Sequence, residues 1–187
     1  MVDNYDEIVN FLHFEDKNSF YFLSTIKRKK DNPDMKKQEY VVDQYYLYSR
    51  KEFEKMRERI IESCHLHNAR LYLRINMRDS MRIAYKLVLR IGELMDTNNF
   101  SAIANAYDSM VGKFHHDPIK KFMIDVDNIE DLVEIKEIVA RANGKILLEL
   151  TTKNGVHLVT NGFDVREINK KFPKILSKNG SVLMYCP

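Results

Sequence analysis

The run Phe122-Met123-Ile124-Asp125-Val126-Asp127 constrains this chain most, because it alternates apolar and polar side chains and sets two carboxylates one residue apart. In a β-strand successive side chains point to opposite faces. Phe122, Ile124 and Val126 therefore enter a core, while Met123, Asp125 and Asp127 share the other face. Two like charges side by side repel and perturb each other unless a cation stands between them, and a divalent metal with oxygen ligands is the usual cation. A wet strand of an ordinary antiparallel sheet carries the same pattern. The surroundings of the run decide between the two.

Downstream, Asn128 is placed to cap a helix running to about residue 142, with Leu132, Ile135, Ile138 and Val139 on one face and Gly144 at its end. Strands are expected over 145–152 and 156–161, joined by the hairpin turn Lys153-Asn154-Gly155. Asp164 can cap a helix over about 165–172, Pro173 stops it, and Lys178-Asn179-Gly180 introduces a last strand over 181–186. The order β-α-β-β-α-β is the ferredoxin-like, split βαβ arrangement. Its first and third strands are neighbours, so 122–127 lies beside 156–161 and His157 falls next to the acidic pair. Thr152 and Lys153 stand close by, where backbone amides and a cationic side chain could hold a phosphate.

Upstream, residues 4–13 read as a short helix, and 20–27 and 39–49 as two strands joined by a basic loop holding Lys27, Arg28, Lys29, Lys30, Lys36 and Lys37. Such a cluster can track a phosphate backbone, or can simply be solvated. Residues 50–66 form an amphipathic helix through Phe53, Met56, Ile60, Ile61 and Cys64. The stretch 70–78 then alternates: Leu71, Leu73, Ile75 and Met77 face one way, and Arg70, Tyr72, Arg74, Asn76 and Arg78 the other. Three arginines on one strand face suit a bound polyanion, whose phosphates match the planar guanidinium, or acidic neighbours. Asp79 or Ser80 caps the next helix, expected to run to about Thr97 with Met81, Ala84, Leu87, Val88, Ile91, Leu94 and Met95 buried. A shorter helix over 99–112 leads to a connector containing His115, His116 and Asp117, which Pro118 breaks.

The whole reads as an α+β protein, with an N-terminal α/β lobe over 1–115 and an RRM-like (ferredoxin-like) βαββαβ unit over 116–187 packed together. With 44% hydrophobic and 30% charged residues in 187, the chain has the composition of a folded globular protein rather than a disordered one. A net charge of +3 permits a nucleic-acid partner without requiring one. Cys64 and Cys186, alone and far apart, fit a reducing compartment, and no zinc-ligand spacing occurs. The first twenty residues have neither a basic n-region nor a long apolar run, so no signal peptide and no membrane span is expected, and the expected location is the cytoplasm of a bacterium or, for a viral protein, of its host.

The residues so placed resemble the archaeo-eukaryotic primase and primase-polymerase superfamily, whose catalytic lobe is an RRM-like βαββαβ unit. The superfamily's Asp-x-Asp strand matches Asp125 and Asp127. Its small-residue turn leading to x-His on the next central strand matches Thr152, Lys153, Asn154, Gly155 and His157. The resemblance covers the C-terminal third well and the rest in outline. It implies a nucleotidyltransferase acting on nucleic acid with Mg²⁺ or Mn²⁺ held by Asp125 and Asp127. Asp125, Asp127 and His157 would then be catalytic, with His157 on the phosphates of the incoming nucleoside triphosphate. Lys153, Asn154, Gly155, Arg70, Arg74 and Arg78 would bind nucleotide or phosphate. Nucleic acid, nucleoside triphosphates and a replication protein are the partners implied. The chain departs from the pattern in one respect: the superfamily has a third acidic residue on or near a later strand, and 175–187 contains none. Asp164 and Glu167 are expected at a helix start and Glu149 on the neighbouring strand. Two further readings share the same residues: a non-catalytic relative that holds single-stranded nucleic acid on an open sheet with Tyr72 and the arginines, and a metal-dependent nuclease with water as nucleophile.

Overall fold

Two antiparallel sheets and six α-helices make up the structure, a computed structural model that describes all 187 residues. In chain order the elements are β1 (Val2–Asp3), α1 (Tyr5–Phe11), β2 (Ser19–Arg28), β3 (Glu39–Leu47), α2 (Arg50–His67), β4 (Arg70–Arg74), β5 (Arg78–Asp79), α3 (Ser80–Asp96), α4 (Ala106–Lys113), β6 (Lys121–Val126), α5 (Leu132–Arg141), β7 (Ile146–Thr151), β8 (Val156–Asn161), α6 (Arg166–Lys171), β9 (Leu176–Ser177) and β10 (Ser181–Cys186). The first sheet has the order β1-β10-β4-β2-β3, with β5 pairing the start of β2. The second has the order β7-β8-β6-β9. No helix is long and apolar enough to cross a membrane.

Local signals account for most of these boundaries. The Ser49 side chain accepts a hydrogen bond from the Glu52 N–H at the start of α2, and Asn68, left-handed at φ 44°, closes it. The Asp79 carboxylate caps α3 through the Arg82 N–H at 2.8 Å. Alternation along β6 buries Phe122, Ile124 and Val126, as the sequence predicts. Ile124 and Val126 pack with Leu158, Ile135, Ile138 and Ile168 to form the core between the second sheet and helices α5 and α6.

The last strand departs from expectation. The sequence assigns 181–186 to the C-terminal unit, but β10 pairs with β4 and β1 of the first sheet, and the two-residue β9 takes the place beside β6. The crossing sews the sheets together: Val182 and Met184 of β10 share a core with Leu71 and Leu73 of β4 and with Leu150 and Val159 of the second sheet. Val159 and His157 thus turn toward the first sheet, and Leu158 between them turns toward the helices.

Helix α3 also departs from expectation. Of its expected stripe only Leu94 is buried, joined on that side by Ile83, whereas Met81, Val88 and Met95 are exposed. Ile83 packs with Phe20, Phe22, Met110 and Val111 on the outer side of β2. The apolar periodicity of α3 is real, but much of it faces outward.

Candidate functional site

Asp125 and His157 are a cross-strand pair of β6 and β8, so their side chains leave the sheet on the same face, toward the first sheet. The His157 Nε2 lies 3.3 Å from Asp125 Oδ1. On its other side the ring accepts the Leu183 N–H of β10 at Nδ1, at 3.0 Å. An acceptor nitrogen carries no proton, so the neutral imidazole holds its hydrogen on Nε2 and donates it to Asp125. That hydrogen bond is the main reason the Asp125 carboxyl lies below the usual carboxylate range; partial burial opposes it, and the charges of Lys30 and Arg28 assist. Asp127 follows directly after β6, exposed.

The turn after β7 is pressed onto this strand end. Gly155 donates its N–H to Thr152 Oγ1 at 3.0 Å, and the Thr152 N–H is donated to the Gly155 carbonyl at 2.8 Å. A Cβ on Gly155 would stand 2.0 Å from the Val126 carbonyl oxygen and 3.0 Å from Asp127 Cα, so only glycine lets the turn lie against the backbone that carries Asp127. The glycine contacts no ligand space itself; it places Lys153 and Asn154 at the rim.

Opposite, β4 and the basic loop supply cations. Asp31, in the loop, receives Arg70 through two hydrogen bonds of 2.7 Å each and Lys153 at 3.2 Å, which ties the first sheet to the turn of the second. Arg70, followed by Lys153, holds the Asp31 carboxyl below its ordinary range. Arg74 donates to the Asn179 carbonyl at 2.7 Å, and burial lowers its pKa. Arg28 pairs with Glu39 at 3.2 Å and donates to the Tyr72 hydroxyl.

Apart from Asp31, Asn179 and Gly155, which support it from behind, these groups line one cleft of about 280 Å³ between the sheets. Of the residues expected in the site, Asp125, Asp127, His157, Lys153, Asn154, Arg70 and Arg74 border it. Arg78 does not. The alternation of 70–78 breaks at Ile75–Met77, where Asn76 turns inward, accepts the Lys121 N–H at 2.8 Å and donates to its carbonyl at 2.9 Å. Arg78 is consequently buried, donating to the carbonyls of Val111 and Asn76 and to Asn179 Oδ1. It is a structural residue, and burial lowers its pKa. Asp31 and Glu39 escape the sequence reading altogether, since an acid within a basic run gives no hint of which cation it will meet. Asp164, Glu167 and Glu149, the other acids considered, pair with Arg166, Arg141 and Lys136 instead.

A larger opening of about 570 Å³ lies on the opposite face of the β2–β3 hairpin, lined by Lys27, Lys36, Lys37, Tyr40 and His67. Its one carboxylate, Asp43, already accepts hydrogen bonds from Ser63 and Tyr45. The paired carboxylates and the histidine are in the smaller cleft, which is therefore the candidate centre.

No three His, Cys, Asp or Glu side chains converge on a point where they could hold an ion. Both nitrogens of His157 are engaged. The cleft offers two aspartates on one strand end, facing cations that can receive phosphate. One or two carboxylates completed by substrate phosphates and water is how Mg²⁺ is commonly bound, so the donor set fits a substrate-completed site and not an all-protein cage. No protein-family model, no curated protein and no solved structure matches this chain.

Proposed function

We propose that the cleft between the sheets binds a nucleoside triphosphate and transfers its nucleotidyl group to nucleic acid, in the manner of the primase-polymerases. The observation that carries this reading is the convergence of Asp125, Asp127, His157, Lys153, Asn154, Arg70 and Arg74, contributed by three strands and one turn, on a single opening. The sheet order β7-β8-β6-β9 supports an RRM-like core in which β9 stands where a fourth strand would run, while β10 is given to the neighbouring sheet.

Asp125 and Asp127 would hold Mg²⁺ or Mn²⁺, which when bound neutralises triphosphate charge and acidifies an attacking hydroxyl. The chain's own part is electrostatic and positional. Lys30 and Arg74, neither paired with a carboxylate, present positive charge to phosphate oxygens. Asn154 and Lys153 bring an amide and an ammonium to the same rim. His157 holds Asp125 in one orientation through Nε2 and keeps its carboxylate ionised, and the Leu183 N–H fixes the ring that does so. Arg70 acts through Asp31, anchoring the side of the cleft that carries Lys153.

The test is extension of a primed template, and of an unprimed one, with Mg²⁺ or Mn²⁺ and labelled nucleotides. The reading expects incorporation that Asp125→Asn and Asp127→Asn each abolish in folded protein; full activity in the double variant would reject it. The limitation to two aspartates favours a second reading, a module that holds single-stranded nucleic acid by charge without turning it over. It expects salt-dependent binding that is indifferent to divalent metal and to Asp125→Asn.

A further inference from the structure

Helix α3 carries an outward apolar face with no partner in the chain. Met81, Tyr85, Val88 and Met95 are 67, 66, 70 and 54% exposed, and Ala84 and Gly92 between them are exposed as well. At about 100° and 1.5 Å per residue these six positions form a stripe about 100° wide and about 21 Å long. A contiguous apolar stripe of this kind on a water-facing helix marks a contact surface. The buried side of the same helix is already satisfied by Ile83 and Leu94.

Tyr85 apart, the stripe is symmetric about Val88. Met81 and Met95 lie seven residues to either side of it, and Ala84 and Gly92 four. Two opposite charges flank the stripe on one side, Arg82 before Val88 and Asp96 after it, while Lys86, Arg90 and Glu93 project from the back of the helix. Glu93 pairs with Arg90 of its own helix at 2.9 Å, while Arg82 and Asp96, about 21 Å apart along the axis, cannot reach each other. We propose that α3 is the interface of a two-fold symmetric dimer of this chain, in which the two α3 helices pack antiparallel across Val88.

The two-fold brings Val88 against Val88 at the centre, Met81 against Met95, and Tyr85 over Gly92 of the second copy. The space around Gly92 is open: a Cβ there would meet nothing within 4 Å. Arg82 and Asp96 project from the same flank of the helix, so the axis sets Arg82 of one copy within about 3 Å of the height of Asp96 of the other. An isologous contact repeats this pair, so both ends of the stripe gain an ion pair. A parallel pairing would instead oppose Arg82 to Arg82 and Asp96 to Asp96. The charges therefore select both the partner, a second copy, and its direction.

The test is sedimentation equilibrium at up to about 100 µM, a concentration suited to a small interface. The expected mass is twice the 22.2 kDa of the chain. Val88→Asp, at a mostly exposed position, is expected to leave the circular dichroism and melting of the monomer intact and to weaken association by about 100-fold, since it buries two like charges on the axis. Arg82→Glu is expected to weaken association, and Arg82→Glu combined with Asp96→Arg to restore it. Val88→Cys is expected to form a disulfide-linked dimer on oxidation, as the native Cys64 and Cys186 are buried. A chain that stays monomeric throughout, a dimer indifferent to Val88→Asp, or failure of the charge-reversed pair to recover association would each overturn the proposal.

Discussion

Asp125 and His157 occupy one cross-strand position of β6 and β8, and the same imidazole that donates from Nε2 to the carboxylate accepts at Nδ1 the Leu183 N–H of the other sheet. The ring is thus a rivet between the sheets as well as a partner for the acid. His157→Phe keeps a flat aromatic ring, slightly larger than the imidazole, removes both hydrogen bonds and leaves a buried N–H unpaired, a loss of about 1–3 kcal/mol. The carboxyl of Asp125 should then titrate closer to its ordinary range. Urea unfolding measures the first effect, and carboxyl-resolved NMR titration the second; an unchanged Asp125 titration would show that the histidine does not govern it.

Asp31 and Arg70 form the most enclosed ion pair at the cleft, with side chains 9% and 5% exposed. Asp31→Asn leaves a buried guanidinium without its counter-charge, and a cost of about 3–5 kcal/mol is expected. Asp31→Leu combined with Arg70→Met removes both charges together and should recover most of that loss in the same denaturation experiment. Lys153 is the more exposed partner of Asp31, so Lys153→Ala should cost less than about 1 kcal/mol in stability. Its effect should appear in nucleotide affinity instead.

Acid dependence follows from the same groups. Asp31 and Asp125 both lie below the usual carboxylate range in the fold. In the unfolded chain an aspartate takes up its proton near pH 4. The unfolded state therefore binds protons first as pH falls, and the stability these groups contribute is complete above about pH 4 and is lost as pH drops through their folded-state values. Stability measured from pH 7 down to pH 2 should decline in that acid window, and less steeply in Asp31→Asn.

Gly155→Ala probes the turn. Its Cβ would collide with the Val126 carbonyl, and accommodation moves either the turn or the strand end that bears Asp127. A destabilisation of about 1–3 kcal/mol is expected. Nucleotide binding should fall in Gly155→Ala even at temperatures where the variant is fully folded, which calorimetry under those conditions would register.

The basic hairpin loop is expected to add sequence-independent affinity for nucleic acid. Replacing Lys36 and Lys37 with alanine should weaken binding of single strands uniformly and lower the slope of log affinity against log salt by about 0.7 for each phosphate that a lysine no longer neutralises. An unaltered slope would mean that these lysines are merely solvated.

What the sequence discloses and what it conceals differ by range. That the strand at 122–127 lies beside 156–161 is legible because alternation and an Asn-Gly turn, both local signals, give the β-α-β-β order whose first and third strands are neighbours. So is the meeting of His157 with Asp125, which follows from register. The destination of 181–186 is not legible, since an apolar strand after a turn satisfies either sheet equally until Leu71, Leu73 and Val159 are seen beside it. Arg78 misleads for a related reason: period-two spacing runs through Ile75–Met77, but the hydrogen bonds of Asn76 to Lys121 interrupt the strand there and turn Arg78 inward. Helix α3 shows the limit of periodicity itself. Apolar spacing fixes which residues share a face, and says nothing of whether the chain or another molecule covers it.

A nucleotidyltransferase centre in this cleft is tested by titrating Mn²⁺ together with a nucleoside triphosphate into the native chain and into Asp125→Asn, following binding by calorimetry. Metal-dependent nucleotide binding that the substitution removes is the predicted result. Nucleotide binding that ignores metal and persists in Asp125→Asn, or no binding in either protein, would contradict a nucleotidyltransferase centre in this cleft.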